Sequence, residues 1–243
     1  MAVSPGAAPS ADALGAGDEA NSPSGRVVLF RIDPRRSLFY RVCRTLLIGI
    51  LRAWFRPRIR HRDRVPTTGP AIIAPVHRSN VDFAFSALLT RRKLFFMAKE
   101  ELWKARWFGR LLEVWGVFPV RRSGADRESV RRAEDVLRGG HLLVMFPEGA
   151  RQSGATVGEL MEGVAFLAAR TGATIVPVGI SGSDRAMPKG AKFVKPVAIT
   201  VSVGEPITPV ARDGGQRVTR SQIHELSAAL RVGLQAAYDD AVR

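Results

Sequence analysis

The stretch Val76-His77-Arg78-Ser79-Asn80-Val81-Asp82 sets an imidazole and a carboxylate five residues apart. On a continuous helix that spacing sends the two side chains to different sides. With His77 still in a loop and Asp82 in the first turn of a helix, the chain can fold back and bring them together. A carboxylate touching one ring nitrogen fixes the tautomer and stabilises the imidazolium that forms when the other nitrogen takes a proton from an attacking hydroxyl. That is the histidine and aspartate part of a catalytic triad, with the substrate's own hydroxyl in place of an enzyme serine. The same residues also admit a plain reading, in which Ser79 caps a helix, Asp82 completes a capping box and His77 is an ordinary loop residue.

Two further loops offer cations. Gly116-Val117-Phe118-Pro119-Val120-Arg121-Arg122 ends in paired guanidinium groups, and Phe146-Pro147-Glu148-Gly149-Ala150-Arg151 combines a carboxylate, a glycine and a guanidinium. The planar fork of arginine matches phosphate oxygens, so Arg122 and Arg151 together could clamp one phosphate and hold a neighbouring hydroxyl beside a base. The alternative is that both are surface ion-pair partners, with Glu148 pairing to one of them.

The elements that must position these loops are legible as an α/β pattern. Ala71–Val76, Leu94–Ala98, Val117–Val120, Leu142–Phe146, Thr174–Ile180 and Val197–Val203 read as strands. Ser79–Arg91, Asp126–Arg138, Gly158–Arg170 and Ser221–Tyr238 read as helices between or after them. Repeated strand-helix-strand steps predict a largely parallel mixed sheet flanked by helices, with room for the last strand to run antiparallel at an edge. In such sheets the chemistry sits in loops at the strand ends. The chain has no internal repeat.

A chain of 243 residues with 46% hydrophobic and 24% charged residues fits one domain with a full core. Residues 1–25 are mostly Ala, Gly, Ser and Pro with scattered acids, the composition of a disordered tail. Residues 26–65 read as a basic amphipathic segment, and 66–243 as the catalytic domain. Within that segment Ser37–Phe55 is apolar but broken by Arg41, Arg44 and Arg52, so it falls short of the roughly 20 apolar residues of a spanning helix. With the arginines at 56, 58, 60, 62 and 64 it suits a helix lying among lipid headgroups. A helix packed on the domain with its arginines in water fits equally well. The formal charge of +15 calls for polyanionic partners, and the lone Cys43 excludes an intrachain disulfide and a multi-cysteine metal site. A single thiol fits a reducing, cytosolic setting. At least some of the tryptophans are expected to pack in the core, and His61, His141 and His224 to have structural roles.

Taken together, the motifs resemble the four blocks of the lysophosphatidic acid acyltransferases, the 1-acylglycerol-3-phosphate acyltransferases within the glycerolipid acyltransferases. His77 to Asp82 matches the first block, Gly116 to Arg122 the second, Phe146 to Arg151 the third and Ile175-Val176-Pro177-Val178-Gly179-Ile180 the fourth. Lys99-Glu100-Glu101-Leu102 resembles the family's Lys-x-Glu-Leu segment. The resemblance implies an α/β fold with an N-terminal membrane-associating helix, His77 as catalytic base and Asp82 as its orienting partner. It further implies Arg122 and Arg151 as phosphate ligands, Glu148 and Gly149 shaping the acceptor site, no metal, and acyl-CoA or acyl-carrier protein as co-substrate. The partners would be a lysophospholipid and an anionic membrane surface but no nucleic acid, with the protein peripheral or monotopic on the cytoplasmic face. Ala150 departs from the usual threonine, Arg121 from a common acid, and Met161-Glu162 from the lysine that often precedes the glycine here at Gly163.

Two other classes compete. A serine hydrolase would need Ser79 or Ser153 as nucleophile, yet neither lies in a Gly-x-Ser-x-Gly elbow. A non-enzymatic binder of nucleic acid or anionic membranes would explain the charge, but no nucleic-acid motif accompanies it.

Overall fold

The computed structural model describes residues 34–104, 109, 112–113, 115–120, 127–210 and 218–243. Within them seven strands form one sheet: β1 (Arg58–Arg60), β2 (Ala71–Pro75), β3 (Leu94–Lys99), β4 (Val117–Val120), β5 (Leu142–Val144), β6 (Thr174–Ser181) and β7 (Thr200–Val203), in the order β1-β7-β6-β2-β5-β3-β4. Every residue of β2 and β5 is buried, as expected for central strands rich in Ile, Leu and Val. β2 to β6 run in one direction through parallel pairings, whereas β7 is antiparallel to β6 and β1 is parallel to β7. The carboxyl ends of five strands therefore share one end of the sheet; the first and third blocks occupy loops leaving it, the second runs along β4 toward it and the fourth lies within β6.

The helices are α1 (Pro34–Phe55), α2 (Asp82–Phe85), α3 (Arg127–Arg138), α4 (Gly163–Thr171), α5 (Ser183–Ala186) and α6 (Arg220–Val242). α3, α4 and α6 lie side by side across β5, β2, β6 and β7. α6 starts at a full capping box between Thr219 and Gln222 and buries Leu230, Leu234, Ala237, Tyr238 and Ala241, at helical spacing, on the sheet. Its backbone passes so close to β6 that a Cβ at Gly179 would run into the Ala237 carbonyl. The glycine of the fourth block is there for that approach.

Several expectations change. β7 is antiparallel but is not the edge, because Arg58–Arg60, placed by sequence in the basic segment, pairs with it as β1. The neighbouring arginines are largely spent on the domain: Arg60 bonds Asp240, Arg62 Nε donates to Leu89 O at 3.0 Å and Arg64 Nη1 to Val203 O at 2.9 Å. The long helix expected over 79–91 is only α2 followed by a 3-10 turn at Ser86–Leu88. The carbonyls of Ala87, Leu89 and Thr90 at its end accept from the side chains of Arg44 and Arg62. Gly158–Arg170 likewise shortens to α4, which ends at Gly172 in the left-handed conformation.

α1 resolves into two faces. Leu51 and Phe55 are buried, Phe55 edge-on to Phe85, and Arg44 is turned inward rather than into water. On the outer face Leu38, Val42, Leu46, Ile50 and Trp54, four residues apart, are each half or more exposed. Among the described residues no helix is long and apolar enough to cross a membrane. Nor do the described tryptophans form the core: Trp54 is exposed, and Trp103 and Trp115 are only partly covered. Aliphatic side chains and Phe85, Phe95 and Phe118 fill it instead.

Candidate active site

The ladder of β2 ends with Val76, whose N–H donates to Val178 O at 2.9 Å, and His77 is the first residue beyond it. The loop then reverses so that Asp82, at the start of α2, lies beneath the imidazole. Asp82 Oδ2 is 3.1 Å from His77 Nδ1 and also accepts the backbone N–H groups of Arg78 at 2.7 Å and Ser79 at 2.6 Å. The two backbone N–H groups hold one oxygen of a carboxylate with 0% of its surface exposed and fix its place beneath the ring. In the tautomer whose Nδ1–H donates to Oδ2, Nε2 keeps its lone pair. Among the described residues nothing takes Nε2, and the ring, stacked on Phe146 at 4.2 Å between centroids, is 19% exposed.

The capping-box alternative fails in a specific way. Val81 is the residue before α2 and makes no side-chain cap, while the Ser79 hydroxyl donates to Met187 O at 2.8 Å. Asp82 does hold the Ser79 N–H, but the Asp82 N–H goes to the Ser79 carbonyl at 3.3 Å and not to its hydroxyl. Ser79 is fully buried, so it offers no exposed nucleophile, and Ser153 lies on the surface in the loop after Arg151.

Glu148, expected to shape the acceptor site or to pair with Arg122 or Arg151, is turned inward and paired with Arg78. Arg78 Nη1 donates to Glu148 Oε1 at 2.8 Å and Oε2 at 3.0 Å. The His77 N–H donates to Oε2 at 2.7 Å and the Gly158 N–H to Oε1 at 3.1 Å. Both side chains of the pair are almost completely covered, and the second Arg78 nitrogen reaches Thr156 O at 3.2 Å. A carboxylate side chain enclosed by four donations holds the His77 loop from behind. Arg78 itself was missed by motif reading; its only signal was a guanidinium next to the histidine, hidden in an arginine-rich chain.

Gly149 follows in the left-handed conformation, φ 68°, and a Cβ there would strike Met161 Sδ. That turn carries the chain to Arg151, a half-buried guanidinium with no acid partner among the described residues. The adjacent Gln152 N–H donates to His77 O at 2.8 Å, so the segment bearing Arg151 is tied directly to the histidine. Arg121 and Arg122 lie outside the described residues; Val120, just before them, ends β4 at the same end of the sheet. Lys99 closes β3 there too.

The sequence model of the acyltransferase family matches residues 56–181, which span the first to the fourth block. The chain belongs to the acyltransferase family. Among curated relatives of this acyltransferase, the chloroplast 1-acyl-sn-glycerol-3-phosphate acyltransferase of Arabidopsis thaliana is 26% identical over 69% of this chain and 48% of the relative. The enzyme of that name from Bacillus subtilis is 25% identical over 69% of this chain and 82% of the relative. That from Streptococcus pneumoniae is 31% identical, over 60% of this chain and 55% of its own length. The chain thus spans about half the length of two of these relatives. The crystal structure of the 1-acyl-sn-glycerophosphate acyltransferase PlsC from Thermotoga maritima superposes with a TM-score of 0.68 at 20% identity, covering 88% of this chain and 85% of that one. The mixed α/β acyltransferase fold is common to both.

Proposed function

We propose that this acyltransferase moves a fatty acyl group from acyl-CoA or acyl-carrier protein to the free hydroxyl of lysophosphatidic acid or a related lysophospholipid, with His77 as general base. The observation that carries the reading is the imidazole whose Nδ1 is pinned by Asp82 while Nε2 is left open, beside an arginine with no acid partner among the described residues. Nε2 takes the proton of the acceptor hydroxyl as the oxygen attacks the thioester carbonyl. The tetrahedral intermediate collapses, the carbon–sulfur bond breaks, and the imidazolium returns its proton to the departing thiolate. A thiol pKa of roughly 8.5 makes sulfur a ready leaving group, so neither a cofactor nor a covalent acyl-enzyme is needed. Arg151, joined by Arg122, grips the acceptor phosphate and sets the hydroxyl at His77.

The relatives' names supply the acceptor class, and the apolar outer face of α1 with the net charge of +15 supports action as a peripheral or monotopic protein on the cytoplasmic face of a membrane. The test is a panel of lysophospholipids with both thioester donors, read by product mass. His77→Ala is expected to remove transfer while the unfolding midpoint stays put. A folded variant with near-normal turnover overturns the assignment of the base.

A further inference from the structure

The segment between α5 and β7 was absorbed by none of the motifs, and it is firmly built. Met187 accepts the Ser79 hydroxyl, the Ala191 N–H donates to Pro188 O at 3.0 Å, and the Lys195 N–H to Ala186 O at 2.8 Å. On this braced loop Phe193 is 84% exposed, with Lys189, Lys192 and Lys195 around it, all exposed and none with an acid partner among the described residues. A phenyl ring held out in water on a braced loop forgoes one of the largest apolar gains a side chain can make, so the structure keeps it available for another apolar phase.

Topology says where the loop stands. It leaves the carboxyl end of β6, the end at which His77 leaves β2. The residue that closes it, Ile199, donates its N–H to Phe55 O at 3.3 Å and accepts from the Arg58 N–H at 2.9 Å. The last turn of α1, with exposed Trp54, therefore adjoins the loop, and exposed Phe83 follows the catalytic loop on α2. An aromatic among lysines, at the rim that holds the catalytic histidine and beside an apolar helix face, matches the interfacial zone of an anionic bilayer. There the ring enters the acyl boundary and the ammonium groups meet lipid phosphates.

We propose that the 187–195 loop is a second membrane contact, separate from α1, that inserts Phe193 into an anionic lipid surface and so turns the His77 end of the sheet toward the bilayer. It rests on the lipid-acceptor reading above. The test uses the full chain with Cys43→Ser and Phe193→Cys, labelled at the new thiol with an environment-sensitive fluorophore, and vesicles of phosphatidylcholine with or without phosphatidylglycerol. A blue shift on the anionic vesicles and quenching by a lipid-borne quencher are expected. Replacing Lys189, Lys192 and Lys195 by Gln should weaken vesicle binding on the order of a hundredfold. Unshifted emission from chain that co-sediments with the vesicles overturns the proposal, as does failure to bind them. So does a blue shift produced by acyl-CoA or acyl-carrier protein alone, which would give the loop to the donor. Turnover of a short-chain, water-soluble acceptor without vesicles reports separately whether the acyl-transfer reading stands.

Discussion

His77 and His141 stand at opposite ends of the sheet and meet opposite charges. His77 follows the carboxyl end of β2, its Nδ1 on a buried carboxylate. His141 precedes the amino end of β5, its ring tilted on Phe95 at 5.2 Å, with Arg92 and Lys93 close by. Burial first, then these two cations, holds the His141 pKa below its ordinary value. One imidazole rests on a carboxylate; the other is placed among cations, where a proton is unwelcome. The difference lies in what surrounds each ring, and identical residue types acquire unlike chemistry from the loops that deliver them.

The contrast is broken most severely at Asp82. Its Oδ1 is buried without a partner, so in Asp82→Asn the amide NH2 can take that place while the amide oxygen keeps its three donors. The fold should survive, but the counter-charge to the imidazolium is gone, and kcat is expected to fall roughly 10³- to 10⁴-fold, as when a triad aspartate is neutralised. Steady-state turnover with a thermal melt on the same preparation checks both halves.

Next comes the frame behind His77. Arg78→Met leaves Glu148 buried with only its two backbone donors and is expected to cost about 3–5 kcal/mol in urea unfolding. Arg78→Met with Glu148→Leu should cost less than the sum of the two single changes, because no buried charge is then left alone. Additive losses would show that the pair does not act as a unit.

These residues also mark how far the sequence could be read. The periodic runs at 71–76, 142–146 and 174–180 gave the sheet, and the return of Asp82 onto His77 followed from a loop-to-helix spacing. Glu148 was recognised but its partner was not, because a linear motif does not say which side of a strand end its side chain enters; burial decided that, and burial depends on Arg78 and on the Thr156–Gly158 loop, two separate segments. The basic run 56–64 was read together with the helix before it, although arginines at every second residue have the period of a strand. In β1 and the turn after it they answer carbonyls and a carboxylate brought from residues 89, 203 and 240. Non-local partners of that kind leave no local trace.

Arg151 sharpens the view of the site from the acceptor's side. Arg151→Ala removes a guanidinium that pairs with no acid among the described residues, so stability should hold within about 0.5 kcal/mol. The loss falls on the phosphate-bearing acceptor, whose KM is expected to rise roughly ten- to a hundredfold, the worth of one charge-assisted contact of about 1.5–3 kcal/mol. The KM of the thioester donor should move little. Equal rises for both substrates would place Arg151 in the frame of the site and remove it from the headgroup.

The smallest expected effect belongs to His141, where stability depends on pH. Because its folded pKa lies below the unfolded value near 6.5, the unfolded chain takes the proton first as the medium is acidified. The stability that the neutral ring contributes is complete above about pH 6.5 and drains away as pH falls toward the lowered native value. His141→Phe keeps a ring against Phe95 but cannot titrate. Urea midpoints taken in steps from pH 7.5 to 5 should therefore show a shallower acid decline in the variant than in the parent. A parent curve already flat across that window, or equal slopes in both proteins, would mean that the cations at Arg92 and Lys93 do not oppose the proton, and the contrast between the two ends of the sheet would rest on Asp82 alone.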